Sequence, residues 1–599
     1  MRSGSQGMST ARLLLQNGAK ISMVNRSFKR PIDVAAKGFD GDDAFGAETI
    51  GERRQTRANF LENSPQSRTL ILHHPDCLGH MPKSSADWEA PDRVTSIMDR
   101  ITTKGSQASS LQSYEISVSS DFDRAPLELL SRVHSAEYLQ FVNDLSKELE
   151  SRRKKQIIRD SEARNTDGDD ANGGGRDDVK KDDNEHHVVP FTPMIQKKVI
   201  REAQIKEGEH SDTSFSAGSL KAARRAAGAV QHAVDRVLVG RNRNAFCAVR
   251  PPGHHAGVNG LLAGGESCGF CIFNSVAAGA MHALSDDSHR PRCERVAIVD
   301  IDAHHGNGTE EIIKKCHDPG RLFFFSVHIF DHDKKKSANI SVPTYKFYPG
   351  TGDEDDVANN IINVPIAPMW KEKEVSGKST TPKATSTEPI RTRGRSKRKG
   401  SSSSVGGEKP SPAGADKSIT SDTESVSVDE SPTNGGLVSS KNATATSEPA
   451  RPAHYLLGTG RMAYRRAVQQ RLLPSLRAFN PDLILLSSGF DASRGDVGNA
   501  RHYIGGTQRM GIDLEPEDYA WTTRRILEIA DICCQGRVVS VLEGGYGRTS
   551  RQQPQSAAAA AASDNSGGDS GSKLPELDKS VFAECAFQHV QALVDPFDE

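Results

Sequence analysis

The sequence predicts an α/β domain with a parallel central sheet flanked by helices. Three observations predict it. Five short, apolar, β-rich runs occupy residues 245–249, 296–301, 322–327, 483–487 and 538–542. Stretches of helical composition separate them, such as residues 219–237 and 461–478. Apolar strands alternating with helices mean a parallel sheet covered on both faces. The segment after each strand is polar: RPPGHHA, DAHHGNGT, HIFDHD, SGFDAS and EGGYG. In open α/β sheets ligands bind outside the carboxyl ends of the strands, so five strand ends point to one site.

The chain has 599 residues, far more than one ordinary domain needs. Its 77 Lys and Arg nearly cancel its 78 Asp and Glu, leaving a formal charge of −1. That balance argues against chain-wide affinity for nucleic acid or anionic membrane. Only 35% of residues are apolar, so polar segments dilute a normal core. The sequence has no apolar stretch of membrane-spanning length and no charged-then-apolar leader. A cytosolic or nuclear address is therefore the default, and the nucleus, with a cytoplasmic pool beside it, is the expectation. Nine scattered cysteines, an odd number, predict free thiols rather than a disulfide framework.

Along the chain, residues 8–42 come first. Within them, ARLLLQNGAKISMVNRSFKRPIDVAA reads as a helix ended at Asn17–Gly18, a loop, and a second helix opened at Arg30–Pro31. This resembles less than one ankyrin repeat, which cannot bury its own face alone. The expectation is that the fragment packs on its neighbour or that the chain start is incomplete. Residues 68–599 form the main domain. Insertions 158–188, 371–451 and 549–574 interrupt it, each too polar to offset ordering entropy. The second carries RTRGRSKRK at 391–399, a candidate nuclear-import signal beside the reading of a solvated charge run.

The metal site is predicted from DIDAHHG. Residues two apart at a strand end share a face, so Asp302 and His304 can reach one ion. Asp491 of SGFDAS can supply a third ligand from another strand. Two carboxylates and an imidazole, with a position left open for water, suit a catalytic zinc. A lone DxH would more often be a solvated turn; the agreement of the other strand ends decides against that.

RPPGHHA (250–256), GFCIFNSVA (269–277), VDIDAHHGNGTEEI (299–312), SSGFDAS (487–493) and LEGGYG (542–547) together resemble the class II histone deacetylases. HPDCLGH, APDRV and LLSRVHSAEYL upstream are similar to that family too. The resemblance implies the arginase/deacetylase fold and removal of acetyl groups from lysine side chains of histones or other proteins. It also implies zinc on Asp302, His304 and Asp491. His255 is implied as general base and later acid, and His254 as its electrostatic neighbour. Asp300 and Asn307 are implied as the partners of His254 and His255, and Tyr546 as the oxyanion donor. Gly269, Phe270 and Tyr348 are implied as lining a tunnel for the lysine stem, with Asp212 as the rim carboxylate. Asp300, Ser326 and Val327 are implied as part of an accessory potassium site. Acetylated histone tails, and protein partners of the corepressor type in transcriptional repression, belong to the same expectation.

The chemistry agrees. Amide hydrolysis needs a nucleophilic water, stabilisation of an oxyanion and a proton for the leaving amine. Imidazole titrates in the range a base requires, and a phenol beside a metal can donate to a developing oxyanion. In one class II subgroup histidine replaces the tyrosine, with weak lysine deacetylation; Tyr546 resembles the active subgroup. Cys268 and Cys271 form a CxxC, but no second CxxC completes a structural zinc, and the family uses this segment for packing.

Three rivals remain. Arginase-like hydrolases bind two metals and need further carboxylates after the DxH, where this chain has His305–Gly306. An inert scaffold would not keep the zinc, base and tyrosine residues together. A polyamine deacetylase needs a rim carboxylate, and in the polyamine-specific relatives it stands seven residues beyond the last zinc aspartate. Here that residue is Gly498, within GDVGNARHYIGG, which departs from both relatives' patterns. Counting along the chain in this way places Gly498 on the rim.

Overall fold

Eight strands form one all-parallel sheet: β1 (Thr69–Leu72), β2 (Ile116–Ser119), β3 (Ala245–Cys247), β4 (Val296–Asp300), β5 (Leu322–Ile329), β6 (Ile361–Ile366), β7 (Leu483–Ser488) and β8 (Val538–Leu542). Their spatial order is β2-β1-β3-β8-β7-β4-β5-β6. The structure is a computed structural model. It describes residues 50–83, 88–103, 111–166, 188–191, 211–260, 267–331, 347–370, 458–502, 508–549 and 577–596. The ankyrin-like fragment 8–42, the segment 371–451 with its basic run, and nearly all of 549–574 lie outside them.

The alternation of side chains explains why these strands are buried on both faces. Ala297, Val299, Phe323, Phe325, Ile484 and Leu486 enter one apolar layer; Val296, Ile298, Leu322, Phe324, Leu483 and Leu485 enter the other. A strand with apolar residues at every position has no solvent side and must be covered twice. The first layer is completed by α1 (Asp92–Thr102) and by the C-terminal helices described below. A long helix, α2 (Ala136–Thr166), packs with neighbouring helices in a third apolar cluster. The second layer is completed by α3 (Ser219–Leu238) and α4 (Ser275–Leu284). Beyond β4, α5 (Asn307–Lys314) starts directly after the HHG turn. Last come α6 (Pro516–Cys534), opened by a Glu515–Asp518 capping box, and α7 (Ser580–Val594).

Three strands of this sheet escaped the sequence reading. β1 and β2 are four residues each, too short for a period to register. β6 reads IINVPI, and its Pro365 argues against a strand; it is tolerated because β6 is an edge strand. Two boundaries also differ. Helix α2 runs to Thr166, so residues 158–166 are helical where the sequence predicted no ordered element. The helix expected over 461–478 is three pieces, Thr459–Ala467, a π-helical turn Val468–Leu472, and Leu473–Phe479. Pro474 has no N–H for the α-helical ladder, which accounts for the break.

The four strands β3, β8, β7 and β4 are consecutive at the centre of the sheet. They lead into RPPGHHA, EGGYG, SGFDAS and DAHHG. The sheet order, not proximity in sequence, gathers these segments.

Candidate active site

Asp302 and His304 come just after β4, and Asp491 just after β7. His304 Nδ1 lies 3.0 Å from Asp302 Oδ1 and 2.9 Å from Asp491 Oδ2. The ligand atoms of the three residues all lie within 4.8 Å of one another. Both carboxylates are aimed by backbone donors: Gly544 N–H to Asp302 Oδ2 at 2.8 Å, and Ala303 N–H to Asp491 Oδ1 at 2.9 Å. Phe347 stacks on the His304 ring, 4.8 Å between centroids and 10° from parallel. Burial disfavours a charged His304, yet Asp302 and Asp491 outweigh it and push its pKa up to about 10. Two buried carboxylates around one ring call for a positive charge. One nitrogen and two carboxylates from three side chains fit a zinc ion with an open position.

Beside them, the His254 and His255 rings stand 3.9 Å apart. His254 Nδ1 donates to Asp300 Oδ2 at 2.9 Å, and His255 Nδ1 donates to Asn307 Oδ1 at 2.8 Å. Both pairings are those the resemblance implies. Burial lowers both rings' pKa, but Asp300 and Asp302 reverse it for His254, to about 10. For His255 burial wins, reinforced by the charges of His254 and His304, and its pKa falls well below the ordinary value. The carboxylate-paired ring is thus held charged and the amide-paired ring neutral.

Tyr546 is buried between Trp88, Phe270 and Arg93. The ring centroids of Trp88 and Phe270 lie 5.8 Å and 5.4 Å from its own, and the Arg93 guanidinium lies 5.0 Å over it. Tyr348 lies edge-on to His255 at 4.8 Å. Gly269 has φ +52, and a Cβ there would strike the His255 ring and Tyr348, so only glycine lets this loop pass. Asp212 is exposed and is joined to these walls. Ser267 and Thr213 hydroxyls donate to it, Tyr348 OH donates to Ser267 O at 3.1 Å, and Phe270 N–H donates to Thr213 Oγ1 at 2.9 Å. All twelve expected residues therefore fall on one contiguous site.

Several neighbours were quoted in motifs but given no role. Glu543 accepts the N–H groups of Gly253 and His254. Arg93 of APDRV donates to Gly545 O at 2.6 Å and to Glu89 at 3.1 Å. Glu89 also takes Arg250 through both oxygens, at 2.8 and 2.6 Å. The adjacent charge-rich WEAPDRV was the available signal.

Three further expectations can be placed. Gly498 borders the phenol: a Cβ there would meet the Tyr546 ring at 2.7 Å. A potassium ion gains no support, since Asp300 is committed to His254 and the Asp302 N–H, and Ser326 Oγ pairs with His328 Nδ1 at 2.9 Å. Cys268 and Cys271 are buried free thiols whose pKa burial raises, with Cys271 Sγ receiving the His255 N–H at 3.5 Å.

Among known proteins, the family model of the histone deacetylase domain matches residues 87–379 and 433–562. The ankyrin-like fragment is outside that match and finds no support. Type-2 histone deacetylase 1 of Dictyostelium discoideum is 27% identical over 489 residues, 82% of this chain and 28% of its own length. Type-2 histone deacetylase 2 of the same organism is 31% identical over 337 residues, 56% of this chain and 13% of its own. Histone deacetylase 15 of Arabidopsis thaliana is 28% identical over 346 residues, 57% of this chain and 39% of its own. The chain spans well under half the length of each of these relatives. With the family match covering most of the chain and the strand-end residues in one site, the chain belongs to the histone deacetylase domain family.

Proposed function

We propose that this protein is a class II-like, zinc-dependent deacetylase acting on acetyl-lysine side chains of proteins, with histone tails as the leading substrate. The observation that carries the reading is the pairing of His254 with a carboxylate and His255 with an amide, beside the Asp302–His304–Asp491 triad. When bound there, zinc would polarise the acetyl carbonyl and lower the pKa of water toward ~7.

The chain's own groups do the rest. His255 Nδ1 is spent on Asn307, so Nε2 is the atom that takes a proton from the attacking water and returns it to the lysine amine. His254, held charged by Asp300, stabilises the negative charge that develops. The Tyr546 hydroxyl donates to the oxyanion. Phe270, Tyr348 and Gly269 wall the lysine stem and keep water out, and Asp212 accepts substrate backbone N–H groups at the mouth. The nuclear address, chromatin role and corepressor-type partners belong to the same proposal.

The test is acetate release from an acetyl-lysine histone peptide by zinc-loaded protein. Tyr546→Phe removes one hydroxyl and no ligand. It should keep zinc and lose about 100-fold or more in kcat, the usual effect of deleting an oxyanion donor. Near-wild-type turnover by Tyr546→Phe would refute the role given to the phenol.

A further inference from the structure

The strand end HIFDHD reaches His304 through two intervening rings. Its Asp331 is buried two residues beyond β5 and accepts the indole N–H of Trp370 at 3.0 Å. Trp370 follows β6, the strand paired with β5. It is 5% exposed, and its one polar atom is spent on Asp331. Its ring centroid lies 5.6 Å from that of Phe347, the ring that stacks on His304.

A histidine that holds a metal is ordinarily oriented by a hydrogen bond from its other ring nitrogen. His304 turns Nδ1 toward Asp302 and Asp491. Among the described residues, its Nε2 has no hydrogen-bond partner. A metal bond to a ring nitrogen lies in the plane of the ring, so that plane must be set some other way. Phe347 lies 10° from parallel to it and sets it. Phe347 is itself only half buried and packs against the apolar cluster that contains Trp370. Trp370 is held more firmly. Besides the Asp331 contact, Met369 N–H donates to Gly511 O at 2.9 Å. A Cβ on Gly511 would stand 3.0 Å from Trp370 Cζ3, so the indole closes directly onto that backbone. Phe330 N–H donates to Ile366 O at 2.9 Å, which ties the ends of β5 and β6 together below the pair.

We infer that Trp370 is a positioning residue for the metal site: held by Asp331, it backs Phe347, and Phe347 holds the plane of the His304 ring. The inference rests on the reading of Asp302, His304 and Asp491 as a zinc site. It gives the HIFDHD strand end a part in that site, through Asp331.

The experiment is a zinc titration of metal-free full-length protein against a chromophoric chelator, which reads affinity without substrate. Trp370→Leu should weaken zinc binding roughly 10-fold, the smaller effect of losing a group outside the ligands themselves. Trp370→Phe keeps a flat ring and should recover most of the affinity. In the Phe347→Leu background no stack is left to back, so Trp370→Leu should cost nothing further. With cobalt in place of zinc, the visible absorption spectrum reports ligand geometry. It should change alike in Trp370→Leu and Phe347→Leu. A purely structural role would lower Tm and leave affinity and spectrum alone.

Wild-type zinc affinity and an unchanged cobalt spectrum in Phe347→Leu would overturn the inference, whether or not Trp370→Leu folds. So would an equal loss from Trp370→Leu in both backgrounds. A wild-type chain that takes up no zinc would refute the proposed function and this inference with it. A wild type that binds zinc tightly, beside variants that bind it as tightly, would refute the inference alone.

Discussion

Glu543 accepts the backbone N–H of His254 at 3.1 Å, across 289 residues of sequence. Its same oxygen takes Gly253 N–H at 2.7 Å, and its other oxygen takes the Ser487 hydroxyl at 3.2 Å. Glu543 stands three residues before Tyr546, so one buried carboxylate locks the loop bearing the histidines to the loop bearing the phenol. Glu543→Ala would leave two buried N–H groups unpaired, each costing about 1–3 kcal/mol. The expected result is a lower Tm and lower kcat, with Glu543→Gln recovering much of both because its amide oxygen still accepts. Thermal melts and turnover of the two variants check this. Equal behaviour of Ala and Gln variants would show that the tie is unimportant.

That tie marks the border of what the sequence discloses. Asp300, Asp302 and His304 sit in one strand-end string, and a period of two puts Asp302 and His304 on one face, so those two ligands were legible locally. Asp491, Tyr546 and His255 were legible because each comes after an apolar run, and parallel strands end on one side. Arg93 was not, because its partner carbonyl at Gly545 is 452 residues away and leaves no local pattern. Position 498 could be counted from Asp491, but no count says which way a residue faces; only the Tyr546 ring lying over it does. Strands β1 and β2 were missed for want of length.

The triad makes a prediction about metal. Asp302→Ala and Asp491→Ala each remove an anionic ligand from a three-ligand set, and zinc stoichiometry should fall far below one in both. Dialysis of wild-type protein against a chelator should lower Tm, and added zinc should restore it, because a ligand bound only by the folded state stabilises it. Metal analysis alongside calorimetry checks both. Full zinc occupancy in the two variants would place the metal elsewhere.

Acid should destabilise the fold through His589. The ring is fully buried under the sheet, with Nδ1 2.6 Å from Thr523 Oγ1 and Nε2 2.8 Å from Ser540 Oγ. Phe246 and Phe490 pack around it. Burial alone pulls its pKa down to about 3. A histidine that stays neutral when folded but titrates near ~6.5 when unfolded favours the unfolded chain as pH falls. Its contribution is intact above ~6.5 and is lost progressively down toward about 3. Tm measured against pH should therefore fall less steeply for His589→Gln than for wild type over that window. Parallel curves would remove His589 from the account of acid sensitivity.

The last prediction separates protein acetyl-lysine from acetylated polyamines. In the proposed function, Asp302, His304, Asp491, His255 and Tyr546 act on an acetamide and cannot tell the two apart, so the mouth must. A polyamine brings a second cation, and a protein brings neutral backbone N–H groups. Position 498 offers no carboxylate and lies beneath Tyr546. The exposed carboxylate at the mouth is Asp212, fixed by the Ser267 and Thr213 hydroxyls, which suits acceptance of directed N–H donors. An acetyl-lysine peptide should therefore show a higher kcat/KM than acetylspermidine. Asp212→Ala should lower the peptide value about 10-fold, the loss of a charge-assisted hydrogen bond, and leave a minimal acetyl-lysine substrate without flanking amides nearly unaffected. A preference for acetylspermidine, or a loss on Asp212→Ala confined to acetylspermidine, would mean that the mouth reads a cation and that the substrate is a polyamine.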